Sequence, residues 1–279
     1  ADERFDTHVE MTAELVDDEV DLVVWAESSV GFDLEDRPEE LDRLASLSEA
    51  VGAPILVNVD ARRGEGGIFK SSVLVDSSGV VARYDKRRLV PFGEYIPARS
   101  LLGWMAEVTD AADENRRRGE GLAVMELDPA GTGAGIDSGP GGSTEAIGMG
   151  PLVCFESAFP DLSRELTRMG ADLVVPQAAT TTFQGSWAQE QHASLAAVRA
   201  VEVGRPVVHA AVSGVSAAFD AEGRELARMG SDDAGTWTAR IALVGGPTPY
   251  VRFGDWVPVA CVLVLVTAAM AAGLRAARR

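Results

Sequence analysis

The chain has 279 residues and a formal charge of −18, so it is long enough for a sizeable core in one large domain or two. Nucleic acid needs clustered Lys and Arg, and the acidic balance excludes it as a partner. Two cysteines are too few for a disulfide framework. The sequence has no CxxC, HExxH, GxGxxG or P-loop pattern and only three scattered histidines, so we expect no metal or nucleotide cofactor.

Hydrophobic periodicity predicts strands that alternate with helices along the chain. In chain order the predicted elements are a weakly amphipathic helix near the start, a strand over 21–25, a helix over 38–51, strands over 54–59, 71–75 and 80–84, a short helix over 98–108, strands over 122–127 and 152–154, a helix over 161–169, a strand over 172–175, a helix over 187–203, strands over 207–211 and 215–219, and a strand-like segment over 236–243. Such a mixture, with several hairpins, predicts an α/β fold in which helices cover the outer faces of sheets.

The last part of the chain differs in composition from the rest. Residues 256–274 carry no charge, and Arg275, Arg278 and Arg279 follow them. About 20 apolar residues span a bilayer, and basic residues after a span favour a cytoplasmic C-terminus. We therefore predict a catalytic domain over 1–250, a transmembrane helix over 256–274 and a basic cytoplasmic tail over 275–279; a buried core helix is the alternative. Because the chain begins at Ala1 without a signal peptide, we expect a piece of a longer protein.

Lysine is rare in this chain, which has two lysines against 23 arginines. Lys86 lies beside two arginines, which indicates a site that needs a compact ammonium rather than a planar guanidinium. Glu27 and Cys154 each end an apolar run. Because functional residues of α/β proteins gather at the carboxyl ends of strands, Glu27, Lys86 and Cys154 are predicted to form a catalytic set.

The chemistry open to this set is acyl transfer through a thioester. A thiol is a poor nucleophile until a base takes its proton, and Glu27 is the candidate base for Cys154. The oxyanion that forms on attack can be stabilised by Lys86. Each residue also has a simpler interpretation when taken alone: a surface acid, a charge at the end of a hairpin and a small buried hydrophobe.

Three segments carry a resemblance to a known family. Residues 24–29 (VWAESS), 84–97 (YDKRRLVPFGEYIP) and 153–157 (VCFES) resemble the signature blocks of the nitrilase superfamily of carbon-nitrogen hydrolases. The run over 91–97 is typical of its membrane-bound branch, the apolipoprotein N-acyltransferases. Residues 191–192, 199–206 and 213–217 are similar to later blocks of that branch, so the resemblance covers nearly the whole chain.

The resemblance implies an α-β-β-α sandwich with Glu27 as base, Lys86 as oxyanion-stabilising group and Cys154 as nucleophile. It implies an enzyme of the bacterial cytoplasmic membrane, with its catalytic domain on the extracytoplasmic face. That enzyme takes an acyl chain from a phospholipid donor and passes it to the α-amino group of a diacylglyceryl-modified apolipoprotein. The implied supporting or substrate-binding residues are Glu94, Glu156, Phe155 and Phe92.

The chain departs from this family at several places. The N-terminal bundle of membrane helices and the strand before the first helix are absent, and Thr182 stands where a Trp is usual. Lys70 lies where a Tyr-Asn pair is common, and we interpret it as a surface substitution. The interval between Lys86 and Cys154, with its Gly-rich tract over 129–143, is expected to form a mobile loop over the entrance. Residues 116–118 are interpreted as solvated loop arginines.

Two other functions remain open at this point. A soluble-type carbon-nitrogen hydrolase or amidase would use the same three residues, with water resolving the thioester. A membrane-tethered binding domain with an inactive site is the non-enzymatic alternative, and the presence of Glu27, Lys86 and Cys154 argues against it.

Overall fold

The computed structural model describes residues 2–107, 114–127, 146–243 and 246–277. The strands are β1 (Val23–Val24), β2 (Ile55–Arg62), β3 (Ile68–Asp76), β4 (Gly79–Asp85), β5 (Met125–Leu127), β6 (Ile147–Val153), β7 (Leu173–Ala179), β8 (Val207–Val212), β9 (Ser216–Phe219) and β10 (Glu225–Met229). The helices are α1 (Asp2–Ala13), α2 (Pro38–Val51), α3 (Arg99–Leu102), α4 (Pro160–Arg168), α5 (Ala188–Val203), α6 (Pro249–Phe253) and α7 (Trp256–Ala277).

The strands form two sheets. The first has the order β1-β2-β3-β4, with β1 parallel to β2 and the other pairs antiparallel. The second has the order β10-β9-β8-β7-β6-β5, in which β6, β7 and β8 are parallel and the outer pairs are antiparallel. Because the carboxyl ends of parallel strands meet at one edge of a sheet, the residues that follow β6 and β7 lie side by side.

Strand β2 shows how the first sheet is buried on both faces. Successive side chains of a strand point to opposite faces, and Ile55, Val57 and Val59 pack in one apolar cluster with residues of α1 and α2. Leu56, between them, belongs to a second cluster that lies between the two sheets. The first sheet is therefore covered by helices on one face and by the other sheet on the opposite face.

The second sheet has the same arrangement. Val174 of β7 packs in a cluster with Leu162 of α4 and Ala196 of α5. Its neighbour Val175 belongs to the cluster between the sheets. The layers are thus helix, sheet, sheet and helix, and the α-β-β-α sandwich implied by the resemblance is confirmed.

Helix α2 begins and ends where the sequence predicts. Pro38 occupies its first turn, where a missing N–H costs nothing. Leu44, Leu47 and Val51 are buried on one face. Gly52 ends the helix in the left-handed conformation with φ of 74°, which a glycine adopts without a steric penalty.

Other element boundaries differ from the predictions. Strand β6 begins five residues before the predicted start. It includes Gly148 and Gly150, which have no apolar side chain, so a prediction from apolar runs does not extend the strand through them. A Cβ at Gly148 would lie 2.2 Å from the carbonyl oxygen of Gly170, so the close approach of that loop requires glycine. Strand β7 continues four residues past the predicted end, through Pro176 and Gln177.

Further differences lie in the loops. The predicted helix over 98–108 is only the four residues of α3 followed by a 3₁₀ turn over Gly103–Glu107, and its last residue lies outside the described chain. Strand β10 was not predicted. Within the described part of the chain, residues 236–243 are assigned to no strand. The Gly-rich tract over 129–143 lies outside the described residues.

Helix α7 extends the predicted apolar segment by three residues. Its 22 residues form a strongly apolar helix in which no described side chain is buried. At 1.5 Å per residue its length is about 33 Å, which matches the hydrocarbon core of a bilayer. Among the described helices it alone is long and apolar enough to cross a membrane. The buried core helix considered as the alternative is wrong, because side chains such as Leu263 are exposed.

Candidate active site

The structure brings together the three residues predicted to form a catalytic set. Glu27 follows β1, Lys86 follows β4, and Cys154 is the first residue after β6. Lys86 Nζ lies 3.8 Å from Glu27 Oε1, and the Cys154 thiol hydrogen-bonds the same carboxylate. Glu27 and Lys86 are both almost completely buried. The site is therefore a carboxylate, an ammonium and a thiol in contact, at one edge of the two sheets.

Two hydrogen bonds fix the strand that carries Glu27 against the second sheet. The amide of Glu27 donates to the carbonyl of Ala178 over 3.3 Å. The Gln177 side chain donates to the carbonyl of Trp25 over 2.7 Å and accepts from the Ser72 hydroxyl over 2.6 Å. Gln177 of the second sheet is thus a buried polar group whose hydrogen bonds join it to residues in and beside the first sheet.

The backbone is strained at Cys154 and at the residue after Glu27. Cys154 has a φ of 49° and Ser28 a φ of 55°, values in the left-handed region that side-chain-bearing residues seldom adopt. Such strain persists only where the surroundings enforce it, and it is frequent at functional sites. Cys154 opens the 3₁₀ turn over Cys154–Ala158, and its carbonyl accepts from the Ser157 hydroxyl over 2.9 Å.

Glu156 joins the segment after β4 to the turn after β6. Its Oε1 accepts from the hydroxyl of Tyr84 over 2.8 Å and from the amides of Arg87 and Arg88 over 2.8 and 2.9 Å. Its Oε2 accepts from the amide of Val153 over 2.9 Å. Burial raises the pKa of this carboxyl. The four hydrogen bonds hold the lysine and the cysteine of the site in register with each other.

Glu94 is the second carboxylate beside Lys86. Its Oε1 accepts from Lys86 Nζ over 2.8 Å, and its Oε2 accepts from the amide of Val90 over 2.7 Å. The loop between these residues turns at Phe92, which has a φ of 65° and is partly exposed. Phe155 packs edge-on against Phe159, with ring centroids 4.9 Å apart.

Lys70 is part of the same site, and its interpretation as a surface substitution is wrong. The residue is 9% exposed. Its Nζ donates to Glu27 Oε1 over 2.7 Å and to the hydroxyl of Ser28 over 3.1 Å. The reason is the register of the hairpin: the amide of Lys86 donates to the carbonyl of Lys70 over 2.7 Å, and opposed residues on neighbouring strands point to the same face.

Two signals in the sequence could have identified Lys70. Lys70 and Lys86 are equidistant from Ser78 in the predicted hairpin turn, which places them opposite each other. The rarity of lysine, which singled out Lys86, applies equally to Lys70. The resemblance hid this signal, because the family has a different residue at that place.

A further ion pair extends the site outward. Asp60 Oδ2 lies 3.3 Å from Lys70 Nζ and 2.9 Å from Arg116 Nη2. Arg116 is therefore a partly buried ion-pair partner, so the interpretation as a solvated charge is wrong for it, whereas Arg117 and Arg118 are exposed. The charged groups of the site are the cations Lys70, Lys86 and Arg116 and the carboxylates Glu27, Asp60 and Glu94.

The charges determine which group holds the proton. Burial acts to raise the pKa of Glu27, but the ammonium groups of Lys70 and Lys86 outweigh it, and the pKa is lowered. Burial and the Glu27 charge raise the pKa of the Cys154 thiol to about 12. At neutral pH the site therefore holds an ionised carboxylate beside a protonated thiol, which is the starting arrangement for general-base catalysis.

Two of the three scattered histidines meet next to the site. His192 Nδ1 lies 3.0 Å from His209 Nε2, and His209 Nδ1 lies 3.0 Å from the carbonyl of Val215. Because a carbonyl only accepts, His209 donates from Nδ1 and accepts at Nε2. Burial lowers the pKa of both rings, that of His209 to about 3, so both are neutral at pH 7. The sequence alone could not predict this pair, because the two histidines lie on different elements, α5 and β8, and only the packing of these elements brings the rings together.

The described residues include no group of three or more His, Cys, Asp or Glu side chains arranged to hold a metal ion. Among the side chains already named, ion pairs join Lys70, Lys86 and Arg116 to the carboxylates Glu27, Asp60 and Glu94.

An α-β-β-α sandwich that buries a carboxylate, an ammonium and a thiol at its strand ends has the architecture of an α/β enzyme. The model of the carbon-nitrogen hydrolase family matches residues 1–245. The chain belongs to this family.

Named relatives resemble the chain over most of its length. An apolipoprotein N-acyltransferase of Geobacter metallireducens is 32% identical over 256 residues, which cover 90% of this chain and 46% of that protein. One of Bordetella bronchiseptica is 30% identical over 250 residues, which cover 85% of this chain and 42% of that protein. The chain thus spans about half the length of these relatives.

Solved structures of amidases share the fold. An amidase of Nesterenkonia sp. AN1, in a mutant with acrylamide added to its active-site cysteine, superimposes with a TM-score of 0.59 at 18% identity, covering 93% of this chain and 92% of that one. A second mutant of that amidase, of the nitrilase superfamily, superimposes with a TM-score of 0.56 and covers 83% of this chain and 81% of that one. At this level of identity the likeness shows the fold.

Proposed function

We propose that this chain is the catalytic part of an N-acyltransferase. It moves a fatty acyl chain from a phospholipid, through a thioester on Cys154, to the α-amino group of the N-terminal diacylglyceryl-cysteine of an apolipoprotein. The contact of the Cys154 thiol with the ionised Glu27 carboxylate carries the chemistry. The shared name of the relatives over most of this chain supports the choice of acyl donor and acceptor.

In the first half-reaction Glu27 takes the thiol proton as the Cys154 sulfur attacks the ester carbonyl of the donor. A bond forms between sulfur and the acyl carbon, and negative charge develops on the carbonyl oxygen. Lys86, buried beside Glu27, stabilises this charge through Nζ. When the oxyanion collapses, the lysophospholipid oxygen leaves and takes the proton from Glu27, and the thioester remains.

In the second half-reaction the acceptor amine attacks the thioester carbonyl. Glu27 takes a proton from the amine, the amide bond forms, and the carbon–sulfur bond breaks. The departing thiolate takes the proton back from Glu27, which restores the starting state. Glu94 and Glu156 act as positioning residues, the first on the Lys86 ammonium and the second on the turn after β6. Phe92 and Phe155 are proposed to contact the substrate.

The alternative function is that of a membrane-anchored amidase, with water in place of the amine, and the amidase structures share its fold. The test is product analysis by mass spectrometry, with the full-length protein and a phospholipid donor, in the presence and absence of a lipidated peptide amine. We expect the amide only with the amine, and little free fatty acid without it. Fatty acid released at the same rate in both reactions would select the hydrolase.

We also propose that α7 anchors the catalytic domain to the cytoplasmic membrane, with the domain on the extracytoplasmic face. Its length and apolarity support a single span. Arg275, Arg278 and Arg279 follow the apolar run, and basic residues of this kind remain on the cytoplasmic side. This orientation places Cys154 where exported lipoproteins and the outer-leaflet phospholipid are both present.

The orientation predicts a labelling pattern. In the full-length protein with Cys154→Ala and Cys261→Ser, a cysteine at Ser77, in the exposed turn after β3, should react with a membrane-impermeant maleimide in intact protoplasts. A cysteine added after Arg279 should react only after lysis. The opposite pattern would place the active site in the cytoplasm and remove the proposed function.

A further inference from the structure

We propose that Lys70 is a fourth functional residue of this site, a positioning residue that holds one oxygen of the Glu27 carboxylate and leaves the other for the Cys154 thiol. The proposal rests on the role of Glu27 as base in the proposed function. It applies equally to transfer to an amine and to hydrolysis, since both require the same thioester. The resemblance assigns no role to a lysine at this place.

The first support is the geometry of the carboxylate. The shortest contacts of both ammonium groups with Glu27 are to Oε1, at 2.7 Å from Lys70 and 3.8 Å from Lys86. Lys70 is therefore the closer cation by 1.1 Å. Lys86 makes its own short contact, 2.8 Å, with Glu94 instead. The two lysines thus have different primary partners, and Glu27 is the partner of Lys70.

The second support is the position of Lys70 within the sheet. In the register of β2 and β3, Asp60 is directly opposite Lys70, and Lys86 lies opposite it on the other side. Side chains in such a row point to the same face. Asp60 Oδ2 lies 3.3 Å from Lys70 Nζ, so the ammonium is held between two carboxylates. If it turned away from Glu27, the nearest cation to that buried carboxylate would be Lys86, at 3.8 Å.

The third support is the strained turn after Glu27. Ser28 has a φ of 55°, a conformation that the surroundings must enforce. Lys70 donates to its hydroxyl over 3.1 Å, and Asn58 accepts from its amide over 2.9 Å. Lys70 therefore contacts both Glu27 and the strained residue that follows it in the chain.

The fourth support is the balance of buried charge. The groups that face or surround Glu27 are Lys70 of β3, Lys86 after β4, Asp60 of β2, Glu94 of the loop after Val90, Arg116, Cys154 after β6 and the neutral His192 of α5. With Lys70 present, three cations oppose three carboxylates. Without it, two cations oppose three carboxylates, and Glu27 loses its closest cation.

The ammonium groups lower the pKa of Glu27, so the base is ionised down to acidic pH. Removing the nearest one raises that pKa, typically by about one unit or more for an opposite charge within hydrogen-bonding distance. Because thioester formation needs the ionised carboxylate, the rate should fall at acidic pH and recover once the pH exceeds the new pKa.

The test is the pH profile of acyl-enzyme formation. The full-length protein carrying Cys261→Ser reacts with p-nitrophenyl butyrate, and quenched samples are analysed by mass spectrometry between pH 3 and pH 9, a range that extends below the ordinary pKa of a glutamate because that of Glu27 is lowered. The acid limb is the pH range over which this rate falls on acidification. Lys70→Asn introduces the residue type common in the family at this place and should move the acid limb upward by about one pH unit. At a pH below both limbs the rate of the variant should then be about tenfold lower than that of the parent. Arg63→Gln removes another partly buried cation of the same sheet, one that pairs with Asp85, and should leave the limb unchanged.

A second variant tests the opposite direction and does not depend on the folding of the first. Asp60→Asn removes the other carboxylate that Lys70 contacts, which strengthens the hold of Lys70 on Glu27 and should move the acid limb downward. An unchanged limb in Lys70→Asn, an upward shift in Asp60→Asn, or an equal shift in Arg63→Gln would each overturn the proposal. An activated ester needs neither phospholipid nor lipoprotein, so loss of lipid transfer with these profiles intact would reject the proposed function alone.

Discussion

Replacing Cys154 with alanine is expected to abolish both the acyl-enzyme and the transfer product while the protein stays folded. In the proposed mechanism the sulfur carries the acyl group, and the described chain has no other thiol in contact with Glu27, since Cys261 lies exposed in α7. The change removes a single atom from a half-buried side chain, so little packing is lost. Mass spectrometry of the protein after reaction with a phospholipid donor measures the acyl adduct directly.

The matched control is Cys261→Ala, which removes the other cysteine and should leave the adduct and the product at parent levels. Circular dichroism of both variants should match the parent. A full adduct in Cys154→Ala would mean that another group carries the acyl chain, and the assignment of the nucleophile would be wrong.

Glu27→Gln should lower the rate of thioester formation by about 10² to 10⁴ fold, the range that general-base catalysis contributes. Glutamine keeps the shape of the side chain and can still accept from the Lys70 ammonium, so the loss isolates proton transfer. Burial, the largest cause of the raised pKa of the Cys154 thiol, is unchanged in this variant, so the thiol still needs a base to take its proton. The measurement is the rate of acyl-enzyme formation in quenched samples at pH 7, where Glu27 of the parent is ionised.

Glu94→Gln is the comparison for this variant. Glu94 is also a buried carboxylate that accepts from a lysine of the site, but it contacts Lys86, so the expected loss is smaller. Parent-level acylation in Glu27→Gln together with a large loss in Glu94→Gln would show that Glu94 is the base.

Local sequence patterns predicted much of the site because each of its three main residues lies at or just past the end of a predicted strand. A buried strand is recognisable from a few neighbouring residues, and Glu27 and Cys154 follow such strands. The lengths of β6 and β7 were underestimated for the same reason, since Gly148, Gly150 and Gln177 interrupt the apolar pattern. Their place in a strand depends on the neighbouring strand and loop.

By itself the sequence determined the alternation of strands and helices, the apolar span of α7 and the three residues at the centre of the site. The tertiary structure decided which side chains surround those residues. Lys70 reaches Glu27 because β3 pairs with β4 in a register that opposes the two lysines. Asp60 and Arg116 are 56 residues apart and form one ion pair, and His192 meets His209 across α5 and β8. Contacts between distant segments depend on register and packing, whereas the central residues were visible because the strands that carry them are local features of the chain.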